Sequence, residues 1–245
     1  MIFIRKNSAP PELEKLKKEA EEQGLSDTEG YDKLRNPLKD RVREALMHEQ
    51  GHLCAYCMRQ IPDERIKKED VDLSKVYIEH WIARRRERNQ GENKGLDYYN
   101  MLAVCSGNEK APEARGKRKK RFFTCDKKRD NRPLKVNPLV METLETIYYT
   151  SDGVIKSSDG EINDNLNITL NLNCNTEAVT LTKNRKAVLD AVQEDLNKQE
   201  GDFLQNCIEQ LHIWESESDP KTPYSGIAIW WLKKQIKELS DGKSL

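Results

Sequence analysis

Apolar residues recur at helical spacing in the first fifth of the chain. In the lysine- and glutamate-rich stretch 12–22 they fall three or four positions apart, and a second such pattern begins near Asn36-Pro37. An apolar residue every three or four positions lines one face of a helix. We therefore predict that residues 1–50 form an N-terminal helical arm.

The final region, residues 136–245, changes from strand patterns to helix patterns. A turn at Ser151-Asp152-Gly153 separates residues 143–150 from residues 154–157, which is typical of a β-hairpin. Residues 166–172 alternate apolar and polar side chains and predict one more short strand. Three longer amphipathic stretches predict helices, at residues 183–198, 202–214 and 224–239. We expect a β-hairpin plus an α-helical accessory region packed on the middle of the chain.

Short strand-like segments alternate with polar loops in residues 51–135. Val76-Tyr77-Ile78 predicts a strand that ends in Glu79-His80, and residues 100–104 predict a second strand or turn. Residues 106–121 lack apolar periodicity and are expected to form a mobile, basic loop. Because helices precede and follow this segment, the pattern as a whole indicates an α+β fold.

The composition indicates a soluble protein. Charged residues make up 34% of the chain, and the mean hydropathy is −0.88. No apolar run approaches the roughly 18 residues that a membrane-spanning helix needs, and the opening MIFIRK lacks the apolar core of a signal peptide. We expect a cytoplasmic protein, in which the six cysteines do not form a disulfide framework.

Positive charge is concentrated in the middle of a chain whose net charge is zero. Twelve lysines and arginines lie between Lys110 and Lys135, opposed by three acidic residues. Such a cluster suits the neutralisation of a phosphate backbone, although a basic stretch can also be a solvated loop without a partner. The candidate nucleic-acid-binding residues are Arg84, Arg85, Arg86, Lys117, Arg118, Lys119, Lys120, Arg121, Lys127, Lys128 and Arg129.

Four cysteines have a spacing typical of a structural zinc site. They are Cys54, Cys57, Cys105 and Cys125, of which the first two form a C-x2-C pair. That pair alone also fits a redox motif, but a polar turn follows it where a thioredoxin-like unit would begin a helix. We predict a closed four-thiolate zinc site. Unpaired thiols, or His52 in place of one cysteine, are the alternatives. The remaining two cysteines are expected to be ordinary buried residues: Cys174 and Cys207.

The order of residues around these cysteines resembles that of the HNH endonuclease superfamily. Glu79-His80 follows the first cysteine pair, Asn100 precedes Cys105, and Asp126 directly follows Cys125. The resemblance covers about 75 residues and implies a zinc-stapled ββα-metal core in residues 51–135. The chain departs from the common pattern in having carboxylates at the first and last metal-ligand positions. A nineteen-residue gap also separates the second cysteine pair.

The same resemblance implies a role for each of these polar residues. His80 would be the general base that activates water, and Asn100 would hold the loop and orient His80. Glu79 and Asp126 would bind a catalytic Mg²⁺ or Mn²⁺ through oxygen. The residues that would contact the flanking phosphates are Lys127, Lys128 and Arg129. Each residue also has an ordinary structural explanation, such as a hydrogen-bonded buried histidine, a turn cap or a surface ion pair.

A wider similarity points to one subgroup of that superfamily. The stretches EQGHLCAYC, IEHW, DYYNMLAVC and CDKKRDN, with the predicted hairpin and the helix after it, look like the HNH nucleases of Septu anti-phage systems, the PtuB family. These nucleases also occur with some retrons. The resemblance implies DNA as substrate and a PtuA-like ABC-type or SMC-like ATPase as partner, docked on residues 136–245. It also allows a retron reverse transcriptase with its msDNA as a partner.

Two other functions remain compatible with the sequence. One is a zinc-stapled nucleic-acid-binding module without catalysis, which the cysteines and the basic segment fit equally well. The other is an interaction subunit whose nuclease activity is latent. The Glu79-His80 pair favours the enzyme, because a binding module needs no histidine beside a carboxylate.

Overall fold

Helices surround two small antiparallel sheets in the computed structural model, which describes residues 1–62, 75–84, 94–109, 111–112, 114, 116, 119–176 and 180–242. The α-helices are α1 (Pro11–Glu22), α2 (Asp27–Asp32), α3 (Leu38–Glu49), α4 (Cys125–Arg129), α5 (Gly160–Asp164), α6 (Leu181–Asn197), α7 (Phe203–Ser216) and α8 (Ser225–Gly242). The strands are β1 (Tyr77–His80), β2 (Met101–Val104), β3 (Ile147–Tyr149) and β4 (Ile155–Ser157). This mixture of helix and sheet confirms the predicted α+β class. Among the described helices, none is both long and apolar enough to cross a bilayer.

The predicted N-terminal helices form, and their apolar faces point inward. Helix α1 buries Leu13 and Ala20, and α3 buries Leu46. Between them, Ser26 and Glu29 form a capping box that satisfies the free backbone amides at the start of α2. Helix α3 then delivers the chain directly to the first cysteine pair.

The first sheet places the end of β1 beside the start of β2. Strands β1 and β2 are antiparallel, with Tyr77 opposite Val104 and His80 opposite Met101. All four residues of β2 are buried. A 3-10 turn, Tyr98–Asn100, immediately precedes β2, so the predicted second strand begins one residue after Asn100. The register therefore brings the end of β1 next to Asn100.

The second sheet confirms the predicted hairpin, whereas the strand predicted at residues 166–172 is wrong. Strands β3 and β4 pair antiparallel around the predicted turn. The chain then enters α5, which Asp159 caps by accepting a hydrogen bond from the Ile162 amide at 3.0 Å. A π-helical turn, Asn165–Thr169, continues it. Leu166 and Leu170 are both fully buried, and their spacing of four residues suits a helical turn as well as a strand.

The three predicted C-terminal helices form and share a small apolar cluster. Its buried members are Val192, Leu196, Cys207, Ala228 and Leu232. A larger cluster of buried residues extends from the N-terminal arm through both sheets to α8. The expectation for Cys207 is thus confirmed. Cys174 differs, since it is only half-buried and its sulfur lies 3.7 Å from the Phe122 carbonyl oxygen.

Candidate metal centre and active site

Four cysteine sulfurs converge at the junction of three elements. Cys54 and Cys57 lie in a tight turn, closed by a 2.9 Å hydrogen bond from the Met58 amide to the Cys54 carbonyl. Cys105 directly follows β2, and Cys125 is the first residue of α4. All four sulfurs lie within 4.8 Å of one another. The predicted cysteine set is therefore brought together, and His52 is not part of it.

The spacing of the sulfurs fits a tetrahedral metal ion. The Sγ–Sγ distances are 3.9 Å for Cys54–Cys125, 3.8 Å for Cys57–Cys105 and 3.7 Å for Cys105–Cys125. Thiolates bound to one zinc ion at about 2.3 Å in a tetrahedron stand about 3.8 Å apart, whereas a disulfide requires about 2.05 Å. The cluster can thus hold a metal such as zinc, with no ligand position left open for water.

Burial of this group couples the charge states of its thiols. Burial raises the pKa of Cys57, but hydrogen bonds with the other three thiols and the charge of Arg59 carry that pKa well below its ordinary value. Burial and hydrogen bonds with Cys105, Cys54 and Cys57 hold the pKa of Cys125 well above its ordinary value. A bound divalent cation would stabilise all four sulfurs as thiolates, because thiolates are the form that binds metal.

Polar side chains hold the elements that carry these sulfurs. Gln50 donates to the carbonyl oxygens of Leu53 at 2.7 Å and Ala103 at 2.8 Å, and its own oxygen accepts from the Ala103 amide. The basic segment is closed at its base by a 3.0 Å hydrogen bond from the Thr124 amide to the Gly107 carbonyl. This closure brings Cys125 back to the metal centre despite the long insertion.

A polar pocket of about 190 Å³ adjoins the metal centre. Its polar lining residues are Glu79, His80, Arg84, Asp126, Asp130 and Asn131. The structure therefore brings together three of the residues singled out from the sequence, Glu79, His80 and Asp126. Sequence reasoning missed Asp130 and Asn131. The available signal was the four-residue spacing of the two aspartates, which places them one helical turn apart.

His80 is buried as a neutral imidazole. Its Nε2 lies 2.9 Å from the Gly95 carbonyl oxygen, and the ring of Tyr31 meets it edge-on at 4.8 Å between centroids. Burial, with the charges of Arg84 and Arg129, lowers its pKa to about 3. A carbonyl oxygen can only accept, so Nε2 carries the proton and Nδ1 keeps its lone pair. The ring is thus fixed in the tautomer that can accept a proton at Nδ1.

Glu79 is a buried carboxylate that shares its surroundings with a second carboxylate. Its Oε1 accepts from the Tyr56 hydroxyl at 3.0 Å and from Arg129, and its Oε2 accepts from the His80 amide at 3.1 Å. Burial and the neighbouring charge of Asp126 raise the pKa of Glu79 to about 8 and outweigh Arg129. Two adjacent carboxylates are the oxygen donors that Mg²⁺ or Mn²⁺ prefers, so this pair fits such a cation.

Asn100 holds the loop that follows β1. Its side chain donates to the carbonyls of Ile82 at 3.0 Å and Lys94 at 3.2 Å and accepts from the Ile82 amide at 2.7 Å. These hydrogen bonds link Asn100 to the loop on both sides. Its expected hydrogen bond to His80 is not among these contacts, since the Gly95 carbonyl orients the imidazole instead.

Arg129 corrects one prediction, because it is not placed to bind phosphate. Its side chain is 1% exposed, since it points from α4 toward β1. It donates to Glu79, to the Tyr56 hydroxyl at 3.3 Å and to the His80 carbonyl at 3.0 Å. This guanidinium therefore ties the helix that carries Asp126 to the strand that carries Glu79 and His80.

Other basic side chains lie at the surface beside the pocket. Lys119, Lys120 and Arg121 form an exposed 3-10 turn, and Lys127 pairs with Glu109 at 2.6 Å. A groove of about 620 Å³ is lined by Lys120, Lys127, Lys128 and Arg132, and it shares Asp126, Asp130 and Asn131 with the pocket. The candidate residues Arg85, Arg86, Lys117 and Arg118 lie outside the described residues. The groove thus joins positive charge to the carboxylates.

Comparison with known proteins assigns no family to this chain. No family model matches it, and no curated protein matches it either.

Replacing Cys125 tests the metal centre. The purified wild-type chain should contain one zinc ion, and Cys125→Ser should lose it to a chelator, because the loss of one thiolate ligand weakens zinc binding. A ligand present at about 1,000 times its Kd stabilises by about 4 kcal/mol, so the melting temperature should fall by roughly 8–16 °C. Elemental analysis and calorimetry measure both quantities. Cys207→Ser, which removes an equally buried thiol outside the cluster, should keep its zinc. Equal zinc in both variants would show that the cluster holds no metal.

Gly107→Ala tests whether closure of the basic segment sets the cysteine positions. Gly107 has φ +60°, and an added Cβ would lie 2.4 Å from the Thr124 carbonyl oxygen and 2.6 Å from the Lys127 Cβ. The substitution should therefore weaken zinc retention under a chelator. Gly24 has φ +64° with no atom within 4 Å of an added Cβ. Gly24→Ala should cost only the backbone strain of about 1–2 kcal/mol and leave zinc retention unchanged. Equal retention in the two variants would contradict the closure argument.

Proposed function

We propose that the protein is a metal-dependent HNH-type endonuclease that hydrolyses phosphodiester bonds in DNA, with a structural zinc ion in its four-cysteine centre. One observation carries the proposal. A neutral imidazole and two adjacent carboxylates line one pocket, and that pocket shares residues with a groove of lysines. Phosphodiester hydrolysis needs these three things: a base for water, oxygen ligands for a divalent cation, and positive charge along the strand.

His80 acts as the general base in this mechanism. Its Nδ1 accepts a proton from the attacking water while Nε2 stays bonded to the Gly95 carbonyl, which keeps the ring from rotating. In the protein without substrate, the pKa of His80 is low first because the side chain is buried and then because cationic side chains lie nearby. A bound phosphate brings negative charge into the pocket, which raises that pKa toward the range in which a base is effective.

Glu79 and Asp126 would hold the catalytic cation, Mg²⁺ or Mn²⁺. It would supply positive charge that neutralises the scissile phosphate and stabilises the leaving oxygen. Arg129 and Tyr56 fix the Oε1 atom of Glu79, so this carboxylate keeps its orientation when substrate enters. Asp130 and Asn131 extend the polar wall of the pocket toward the groove.

The surface cations bind the flanking phosphates. Arg84 lines the pocket, and Lys120, Lys127 and Lys128 line the adjoining groove. Lysine and arginine contacts of this kind position a duplex without reading its sequence. Arg129 has no part in this contact, because its guanidinium is already used inside the fold.

We also propose that the nuclease is the effector of an anti-phage system and works with an ATPase. The support is the extended resemblance to Septu nucleases, together with one feature of the surface. A groove of about 930 Å³ is lined by the N-terminal residues and α8, and it contains Trp214, Ile229 and Trp230 beside Lys233 and Lys237. Half-buried tryptophans of this kind anchor protein partners.

His80→Ala tests the catalytic proposal directly. The wild-type chain, with its ATPase partner if the isolated chain is latent, should nick or linearise plasmid DNA with Mg²⁺ or Mn²⁺. Loss of the base should slow cleavage about 10²- to 10⁴-fold, with zinc content and the folded state retained, although the cavity left by a buried side chain should lower the melting temperature. His212→Ala removes an exposed histidine of α7 and should cleave like wild type. Salt-sensitive DNA binding without cleavage by the wild type would instead identify a binding module, and full activity of His80→Ala would exclude this base.

Asp126→Asn tests the cation site separately from the base. The amide keeps the size of the side chain but removes one anionic ligand, so the cation concentration that half-saturates cleavage should rise about tenfold or more. Zinc content should not change, because Asp126 is not one of the four sulfur ligands. An unchanged cation dependence would contradict the assignment of Asp126, and RNA substrates in the same assay would show whether DNA is the preferred polymer.

A further inference from the structure

A second group of metal-ligating side chains lies outside the cysteine centre and the pocket. His48 stands in the last turn of α3, His52 follows the turn at Gly51, and Asp219 lies in the connection between α7 and α8. One ligand atom from each of the three residues lies within 4.8 Å of the other two. The two imidazole rings are 5.4 Å apart between centroids. Residues 171 positions apart in the chain thus meet at one point.

The backbone fixes this meeting point without help from the three side chains. The chain turns back on itself at residues 51 and 52, where both backbone φ angles are positive. The Lys221 amide donates to the Gly51 carbonyl at 2.9 Å, and the Tyr224 amide donates to the Met58 carbonyl at 2.9 Å. The connection that carries Asp219 is therefore held against the turn that carries the first two cysteines.

The three side chains present the donor set of a transition-metal site. Each carboxylate oxygen of Asp219 faces one imidazole, Oδ2 toward Nδ1 of His48 and Oδ1 toward Nε2 of His52 at 3.1 Å. Ligands bound at about 2.1 Å to one ion stand about 3.0–3.4 Å apart. The contact between His52 and Asp219 lies in this range, whereas Asp219 and His48 stand closer together and would separate slightly to admit an ion. Two imidazoles with one carboxylate suit zinc, nickel or cobalt better than magnesium or calcium.

The exposure of the group distinguishes it from the cysteine centre. The side chains of His48, His52 and Asp219 are 54%, 22% and 29% exposed, whereas the four cysteines are buried. Three protein ligands at the surface leave coordination positions open to water, so an ion there can exchange. Without an ion, Asp219 can accept hydrogen bonds from both imidazoles.

We propose that His48, His52 and Asp219 form an exchangeable binding site for a divalent transition-metal ion such as Zn²⁺ or Ni²⁺. The bound ion fastens the connection at residues 217–224 to the cysteine turn. The site is independent of the nuclease proposal, since none of its residues lines the pocket or belongs to the cysteine centre. It links the C-terminal helices to the part of the chain that carries the structural metal.

Metal titration of the full, tag-free chain tests the site. Protein that already holds one zinc per chain is dialysed against Ni²⁺ or Zn²⁺, and bound metal is measured by elemental analysis. Wild type should bind a second equivalent. The double variant His48→Ala/His52→Ala should bind it at least about 100-fold more weakly, because even loss of an outer partner of a ligand typically costs 10- to 100-fold. His212→Ala should bind like wild type, which excludes nonspecific binding to any histidine.

Two further measurements keep the test decisive. Asp219→Asn should give a similar loss of affinity, so that a folding defect of the double variant cannot imitate the result. Amide hydrogen exchange at residues 217–224 should slow when Ni²⁺ is added to wild type and should not change in the double variant. No second equivalent in wild type, or unchanged uptake in the variants, would overturn the site. Unchanged exchange in metal-bound wild type would overturn the fastening role.

Discussion

The convergence of four sulfurs is the constraint on which the rest of the site depends. The cluster joins three pieces of chain that lie far apart in the sequence: the turn after α3, the end of β2 and the start of α4. Strand β1 is only four residues long and pairs with one neighbour, and a two-stranded sheet is marginal by itself. Metal–sulfur bonds between these pieces can supply the folding energy that such a short core lacks.

Contacts made by Arg129 shape the polar pocket beside the four-cysteine cluster. Arg129 extends from α4 to Glu79, the Tyr56 hydroxyl and the backbone of β1. Since α4 starts at Cys125, the same short helix is fixed by sulfur at one end and by a buried guanidinium at the other. Asp126 lies between these two anchors. Its position beside Glu79 thus follows from these two anchors, and the neighbouring charge of Asp126 adds to burial in raising the pKa of Glu79.

The sequence predicted which residues lie together at the candidate site better than it predicted the contacts that they make. Cys54 and Cys57 were recognisable as a close C-x2-C pair, whereas Cys105 and Cys125 were added because they complete a set of four ligands. Glu79, His80 and Asp126 were singled out by their order around these cysteines, which resembles that of a known superfamily. The role of Arg129 was predicted wrongly, since a basic run gives no sign of which member points inward. The strand predicted at residues 166–172 failed because two buried leucines four positions apart suit both kinds of structure. The meeting of His48 and His52 with Asp219 had no local signal, because it depends on how the α7–α8 connection packs.

Anomalous X-ray diffraction from crystals grown with Mn²⁺ tests the central claim most directly. The claim is that a sulfur-bound metal positions Glu79 and Asp126 to bind a second cation, with His80 in the same pocket. A zinc-edge peak should lie about 2.3 Å from all four sulfurs of Cys54, Cys57, Cys105 and Cys125. A manganese peak should lie between Glu79 and Asp126. Sulfurs without a peak, or manganese bound away from both carboxylates, would contradict the claim.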